Sequence, residues 1–373
     1  MTAQDPALQR LVEQVQAARA DKAALNIRGG GTKDFYGGPL VGEPLEAGPL
    51  RGISSYEPSE LVVTARAGTP LAELEAALAE QGQCLPFEPP RFAPAQPGAS
   101  LAGHGTVGGM VAAGLSGPAR ATAGGVRDYV LGATLLNGQA EVLSFGGQVI
   151  KNVAGYDVSR VLAGSMGILG VICEVSLKVL PVAPATLTLR LEADQAQAIQ
   201  RLGDWGGQPL PLNASAWWDG TLVLRLSGAA AAVRAAGQAI GGEVVEPALA
   251  AGFWSGLRDH TDEFFQGAGK AVASGAGLWR LSVPATTPPL KLSGEQLVEW
   301  GGAQRWLCTT APAAVLREAA AAAGGHAVLF RATDKAVGAF APLQPPLDRI
   351  HRELKRAFDP DGLFNRGRLV AGI

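Results

Sequence analysis

The sequence predicts an α+β protein built from two modules, and three observations carry that prediction. All seven tryptophans (Trp205, Trp217, Trp218, Trp254, Trp279, Trp300 and Trp306) lie after residue 200, whereas 27 of the 50 glycines lie before residue 171. Apolar runs of strand length alternate with amphipathic stretches of helix length through both halves. Between the halves stands Pro181-Val182-Ala183-Pro184, a stiff segment with a strand-like run on each side. The length agrees, because 373 residues exceed the usual size of a single hydrophobic core.

In the first module, Asp5 and Pro6 read as the cap and first position of an amphipathic helix. A short strand at 24–27 runs into Arg28-Gly29-Gly30-Gly31-Thr32-Lys33. A second strand is expected at 61–65, and Thr69 with Pro70 then caps a helix that Gly82 ends. Strands at 130–136 and 140–145 flank Asn137-Gly138, a pair that accepts the positive φ angles of a type I′ hairpin turn. From 171 to 179 the pattern alternates, with Val171, Cys173, Val175, Leu177 and Val179 on one face. In the second module a strand at 186–191, a helix near 194–202, a hairpin about Asp219-Gly220, a helix at 229–239 and strands near Trp279 and Trp306 follow in turn. The last helix is expected at Leu347–Phe358, ahead of Asp359-Pro360-Asp361-Gly362.

Composition excludes several function classes. Glycine makes up about 13% of the chain against a usual level of about 7%, yet there is no collagen period. With 47% apolar residues, those glycines belong to a folded backbone. The net charge is -2 and no basic run is present, which argues against a nucleic-acid groove. The polar amino terminus and the lack of a long apolar stretch lead us to expect a cytoplasmic protein. Cys84, Cys173 and Cys308 are widely spaced and read as buried reduced thiols. The histidines His104, His260, His326 and His351 stand singly, so no metal site is expected.

Two glycine-rich segments suit an anion. Successive residues without Cβ at 29–31 let backbone N–H groups turn towards a ligand, and Thr32 adds a hydroxyl. The second segment runs from Pro97 to Gly114 and contains Gly103-x-Gly105-x-x-Gly108. The proline-rich stretch before it, 86–97, disfavours the central strand of an ordinary Rossmann site. The helix expected after it still offers free N–H groups at its amino end. Gly164-Ser165-Met166-Gly167 resembles a hydrolase elbow but lies between helix and strand in the wrong order.

Taken in order, RGGGT, PGASLAGHGTVGGMVAAGLSGPAR, VRDYVLG, KNVAGYDVSRVLAGSMGILGVICEVSLKVLP and FDPDGLFNRGRL resemble the FAD-binding, PCMH-type (vanillyl-alcohol-oxidase-like) flavoproteins, most of all the FAD-binding subunits of bacterial glycolate oxidase. The resemblance implies a PCMH-type FAD-binding domain of two α/β subdomains over 1–182. It further implies a ferredoxin-like α+β cap over 185–345, and a helix and tail at 346–373 returning to the first domain. It places the pyrophosphate at Arg28, Gly29, Gly30, Gly31, Thr32 and Lys33. It assigns further phosphate and ribityl contacts to Thr106, Gly108, Gly109, Gly114 and Ser116, and flavin or adenylate contacts to Gly170, Val171 and Ile172. Relatives that bind FAD covalently use a histidine beside the first loop, where this chain has Thr32 and Lys33, so the expectation is non-covalent FAD.

The resemblance also implies oxidation of a 2-hydroxy acid to a 2-oxo acid, beside a paralogous FAD-linked subunit and an iron-sulfur subunit through which membrane association would arise. Related dehydrogenases carry G-H-x-G-D-G-N-x-H in the cap. Only Gly325-His326 answers to it here, making His326 the candidate base, with Tyr156 a weaker one. The alternatives are a self-sufficient FAD-dependent oxidoreductase and a degenerate structural paralogue within the complex.

Overall fold

The computed structural model describes residues 5–92, 105–147 and 157–373. The chain opens with the helix Pro6–Asp21, capped by Asp5, whose carboxylate accepts from the N–H groups of Ala7 and Leu8. This helix buries Leu8, Leu11, Val15 and Ala18. The strand Leu25–Arg28 follows and runs parallel to Glu43–Glu46. Here the chain's end returns. The Leu25 N–H donates to the Leu363 carbonyl and the Asn365 N–H to the Leu25 carbonyl, so the tail lies along the far side of this strand.

A five-stranded antiparallel sheet comes next, in the order Ile53–Glu57, Val62–Arg66, Val171–Lys178, Val130–Leu136 and Val142–Gly146. Its inner face carries Val63, Ala65, Ala133, Leu135, Val175 and Leu177. These pack on the helix Leu71–Glu80 and on Val107, Met110 and Val111 of the helix Val107–Ala113. The strand Val171–Lys178 is central and buried on both faces, and the single face expected for Val171 through Val179 is corrected: at a register irregularity against Val130–Leu136, Val171 and Cys173 turn to the amino-terminal helix while Val175, Leu177 and Val179 stay on the inner core.

Two further expectations for this module change. Thr69 does not cap the helix Leu71–Glu80; its hydroxyl is held by the backbone of Gly52, and Pro70 takes the cap position without a side-chain bond. The turn after Leu136 is not type I′ either. Positive φ falls at Ala140 (63°), and Asn137 holds the loop by accepting from the N–H groups of Gln139 and Glu141. Gly138 serves closeness instead: its N–H donates to the Phe358 carbonyl, and a side chain there would collide with Asp359.

After Pro184 the chain enters an eight-stranded antiparallel sheet. Its order is Glu243–Val244, Ala185–Glu192, Thr221–Gly228, Leu212–Trp218, Glu295–Glu299, Gln304–Thr309, Gly277–Ser282 and His326–Arg331. Asp219 and Gly220 both have positive φ, as the hairpin requires. The helices Gln195–Gly206, Ala230–Ile240 and Ala313–Ala322 cover one face. The other face meets the helices Pro247–Asp259 and Glu263–Ala273, two elements the sequence pattern had not disclosed. That face also shares a core with the first module: Tyr36, Phe92, Leu115 and Met166 pack with Trp254, Phe265, Trp306 and Phe330.

The last helix, Leu347–Phe358, is pinned from beneath. Lys355 is buried and donates to the carbonyls of Ile168 and Phe364 and to Asp359 at 2.6 Å. Asp359 in turn accepts from the N–H groups of Leu363 and Phe364. The strap that brings the tail back is therefore locked by a buried, fully bonded ion pair.

Candidate functional site

Where the returning tail meets the first parallel strands there is a cleft with about 800 Å3 of space, counting the part open to solvent. One wall is the loop Arg28 to Lys33, which leaves the end of the strand Leu25–Arg28. Opposite lie Gly105, Thr106, Gly108, Gly109, Ala112 and Ala113, and the floor is made by Met166, Gly167, Gly170, Ile172, Asn365 and Arg368.

The loop has the properties of an anion cradle. Among the described residues, the backbone N–H groups of residues 29–33 have no hydrogen-bond acceptor. Gly31 has φ +68°, and a Cβ there would lie 2.9 Å from the Arg28 guanidinium, which bridges to Asp34 at 3.0 Å. Gly29 lies so close to Thr106 that any side chain would strike its hydroxyl. Arg368 holds the loop's far end, donating to the carbonyls of Lys33, Asp34, Tyr36 and Gly38.

The second glycine-rich segment behaves otherwise. Pro97 to His104 lies outside the described residues. From Gly105 onward, the helix Val107–Ala113 has no free amino end: Val107 N–H donates to the Thr69 carbonyl, Gly108 N–H to the Ala67 carbonyl and Gly109 N–H to the Thr106 hydroxyl. The expected phosphate site on free helical N–H groups is therefore corrected, since a neighbouring strand end and the cap residue use those donors. Gly108 is a packing glycine, because a Cβ would lie 2.6 Å from that of Ala67. Gly109 faces the cleft with only the Thr106 hydroxyl, 3.1 Å away, near its missing Cβ.

These features sit on a chain with clear relatives. Residues 8–146 match the FAD binding domain family. The glycolate oxidase subunit GlcE of Escherichia coli is 46% identical over 365 residues, covering 98% of each chain. The chain belongs to the PCMH-type FAD-binding flavoproteins, in the branch of that subunit.

A D-lactate dehydrogenase of Archaeoglobus fulgidus is 34% identical over 42% of this chain and 33% of its own. The glycolate oxidase subunit GlcD of Bacillus subtilis is 34% identical over 22% and 18%. Among solved structures, alkyldihydroxyacetonephosphate synthase matches with a TM-score of 0.62 at 13% identity, over 95% of this chain and 73% of that one. The architecture is thus that of the family, a PCMH-type FAD-binding domain followed by an α+β cap.

A dinucleotide fits this flavoprotein's cleft on the structure's own terms. Its pyrophosphate needs several N–H donors and no bulk beside them, which the loop at 29–33 supplies. Arg28, Gly29, Gly30, Gly31, Thr32, Lys33, Thr106, Gly108, Gly109, Gly170 and Ile172 all line the cleft. Three expected residues do not. Gly114 closes the helix in the left-handed region (φ 64°) against Gly164, Val171 points into the core beside Leu8 and Leu11, and Ser116 lies off the lining near Arg120. Met166, Gly167, Asn365 and Arg368 were missed as site residues. Asn365 accepts from the Ile27 N–H at 2.7 Å and donates to the Met166 carbonyl at 2.6 Å, which joins tail, first strand and floor.

Towards the cap the flavoprotein is cationic. Burial pushes the Lys33 ammonium down to about 8, with Asp259 opposing. His326 begins the edge strand His326–Arg331, directly across from Ser282 and diagonal to Arg280 on the same face. Its residue surface is largely exposed and it does not line the cleft, while its ring is partly enclosed, which lowers its pKa together with the charge of Arg280. Tyr156 lies outside the described residues. Among the described residues no cluster of three His, Cys, Asp or Glu side chains is placed to hold a metal, and no helix is long and apolar enough to cross a membrane. Cys173 is fully buried and its thiol is pushed up to about 12, while Cys84 is only half-buried, contrary to expectation.

Proposed function

We propose that this chain is the FAD-carrying subunit of a multi-subunit glycolate oxidase of the dehydrogenase type, and that it oxidises a small 2-hydroxy acid to the 2-oxo acid. The observation that carries the reading is the run of N–H groups at 29–33, unengaged among the described residues and lining a cleft, in a chain 46% identical to a glycolate oxidase subunit over 98% of its length. FAD held there would supply the hydride acceptor for the carbon that bears the hydroxyl. Residues 29–33 would hold the pyrophosphate, non-covalently, since Thr32 and Lys33 stand where covalent relatives have histidine. Thr106 and Gly109 would flank it, and Gly170 and Ile172 would face the ring or the adenylate arm.

His326 is the proposed acceptor of the hydroxyl proton. Its lowered pKa keeps the imidazole neutral, and so able to take a proton, near neutral pH. We take residues 1–182 as the flavin domain, 185–345 as the cap and 346–373 as the strap. The widely spaced cysteines leave any iron-sulfur cluster to a partner subunit. A paralogous flavin subunit and an iron-sulfur subunit complete the proposed assembly in the cytoplasm, with membrane association through those partners. The test is direct. The chain purified with FAD should carry one flavin that glycolate bleaches anaerobically. No flavin binding on reconstitution would refute the reading, and bound flavin untouched by glycolate would move the chemistry to the partner.

A further inference from the structure

The enclosed cations in and around the cap fall into two groups, those held by backbone carbonyls and those that are not. Arg305 donates to the carbonyls of Thr287, Pro288 and Gly302, and Lys335 to those of Phe35, Gly37 and Phe330. Arg368 is held by carbonyls in the same manner. Arg280 and Arg331 are not. Arg280 reaches one hydroxyl, Tyr36 Oη at 3.1 Å, and its Nε is buried without a partner among the described residues. Arg331 stacks on Phe35 with its guanidinium carbon 3.4 Å from the ring centre, and it has no hydrogen bond among the described residues.

Both arginines border one aromatic box. Phe330 packs against Phe35, Tyr36, Phe92, Trp306 and His260, and Arg280 lies 5.7 Å from its ring centre. His260 is stacked on Phe265 at 3.6 Å, and its Nδ1 is buried with no partner among the described residues. Burial is the main cause that lowers His260, His326 and Arg120, and the positive charge of Arg280 adds to it at each, behind Arg331 in the case of His260. No carboxylate forms an ion pair with Arg280 or Arg331 among the described residues. Nor can one come from elsewhere in the chain, because residues 1–4, 93–104 and 148–156 contain neither Asp nor Glu.

Arg280 is half-buried, with its Nε enclosed and unpartnered among the described residues and aromatic rings on one side, so its charge is left without an anion. We propose that Arg280, with Tyr36 and Arg331 beside it, binds the carboxylate of a small acid between the cap sheet and the flavin cleft. His326, the diagonal neighbour of Arg280 on the same sheet face, then lies on the hydroxyl side of the bound acid. This assignment rests on the hydroxy-acid reading for the identity of the ligand, not for the existence of the anion site.

Oxalate, a small acid that cannot be oxidised by hydride loss, separates the two. Titrated into the FAD-loaded chain and followed by calorimetry and by the flavin spectrum, oxalate should bind saturably. Arg280→Met should weaken it at least tenfold with flavin content unchanged, and glycolamide, which lacks the charge, should not compete. Arg280-dependent oxalate binding without bleaching by glycolate upholds the anion site while the oxidation reading fails. Unaltered oxalate affinity in Arg280→Met, or glycolate bleaching with unaltered concentration dependence in that variant, overturns the anion site. If Arg280→Met does not fold, Tyr36→Phe, which removes only the hydroxyl that orients the guanidinium, should still weaken oxalate several-fold, and wild-type affinity there overturns the assignment.

Discussion

Adjacent glycines in one short helix should respond in opposite ways to the same methyl group. At Gly108 the added Cβ would lie 2.6 Å from the Cβ of Ala67 and 3.1 Å from its carbonyl oxygen. Ala67 cannot retreat, because its N–H is bonded to the Cys173 carbonyl on the central strand at 2.9 Å. Overpacking of that kind costs about 1–3 kcal/mol, against a gain of about 1 kcal/mol from replacing glycine by alanine in a helix. Gly108→Ala is therefore expected to lose about 1 kcal/mol in urea unfolding of the flavin-free chain. At Gly109 the methyl meets only the Thr106 hydroxyl at 3.1 Å, so the helix gain roughly offsets the contact and flavin-free stability should stay within about 0.5 kcal/mol. The cleft side is where Gly109→Ala acts: FAD affinity, measured by flavin fluorescence on titration, should fall about tenfold, and Gly109→Val should abolish retention. Wild-type FAD affinity in Gly109→Ala would remove that residue from the cofactor site. An unchanged urea midpoint in Gly108→Ala would refute the packing role given to Ala67.

Other perturbations test the remaining parts. Glu299 is buried and accepts from Trp306 Nε1 at 2.6 Å and Gln304 at 3.1 Å, yet burial still pushes its carboxyl up to about 7. A raised carboxyl pKa means the folded state holds a proton that the unfolded state has released, so its contribution to stability falls as pH rises from about 4.5 to about 7. The loss is at most about 3 kcal/mol, and Glu299→Gln should flatten that part of a pH–stability curve and stabilise the protein above pH 7. An equal slope in both proteins would refute it. Asp359→Ala leaves Lys355 buried and unpaired and should cost about 3–5 kcal/mol, with the carboxy-terminal strap becoming the first site of proteolysis. His326→Ala should lower glycolate reduction of the flavin about 100-fold with little change in oxalate affinity, whereas a rate within twofold of wild type would take the base role away from His326.

Much of the fold is legible because it follows from local chemistry. Asp5-Pro6 caps its helix, Asp219-Gly220 turns its hairpin, and Leu347–Phe358 falls where its pattern ends at Asp359. The departures have a common origin in contacts made by distant residues. Thr69 is diverted from capping by Gly52, and the Asn137-Gly138 turn is reshaped because Phe358 and Asp359 press on it. The helices Pro247–Asp259 and Glu263–Ala273 escaped notice because glycines interrupt them, at Gly252, Gly256, Gly267 and Gly269, and helix propensity read residue by residue breaks there. Packing of Trp254, Phe264 and Phe265 in the shared core overrides that local weakness.

The site divides along the same line. The first glycine run is legible as an anion loop since three successive residues lack a Cβ, and in the fold its N–H groups meet no acceptor among the described residues. The second run has the same composition and a helix behind it, yet carbonyls at Ala67 and Thr69, about forty residues upstream, take the first two helical donors. Glycine content therefore marks where backbone comes close to something, while the nature of that something depends on which carbonyls the sheet delivers. For Arg280 the dependence is stronger. In sequence it is one charged residue in an alternating strand, with no motif to mark it. Only the register that sets it opposite Val328 and diagonal to His326, with Tyr36 from the first module bonded to it, distinguishes it from Arg305, a neighbour whose charge the backbone has already absorbed.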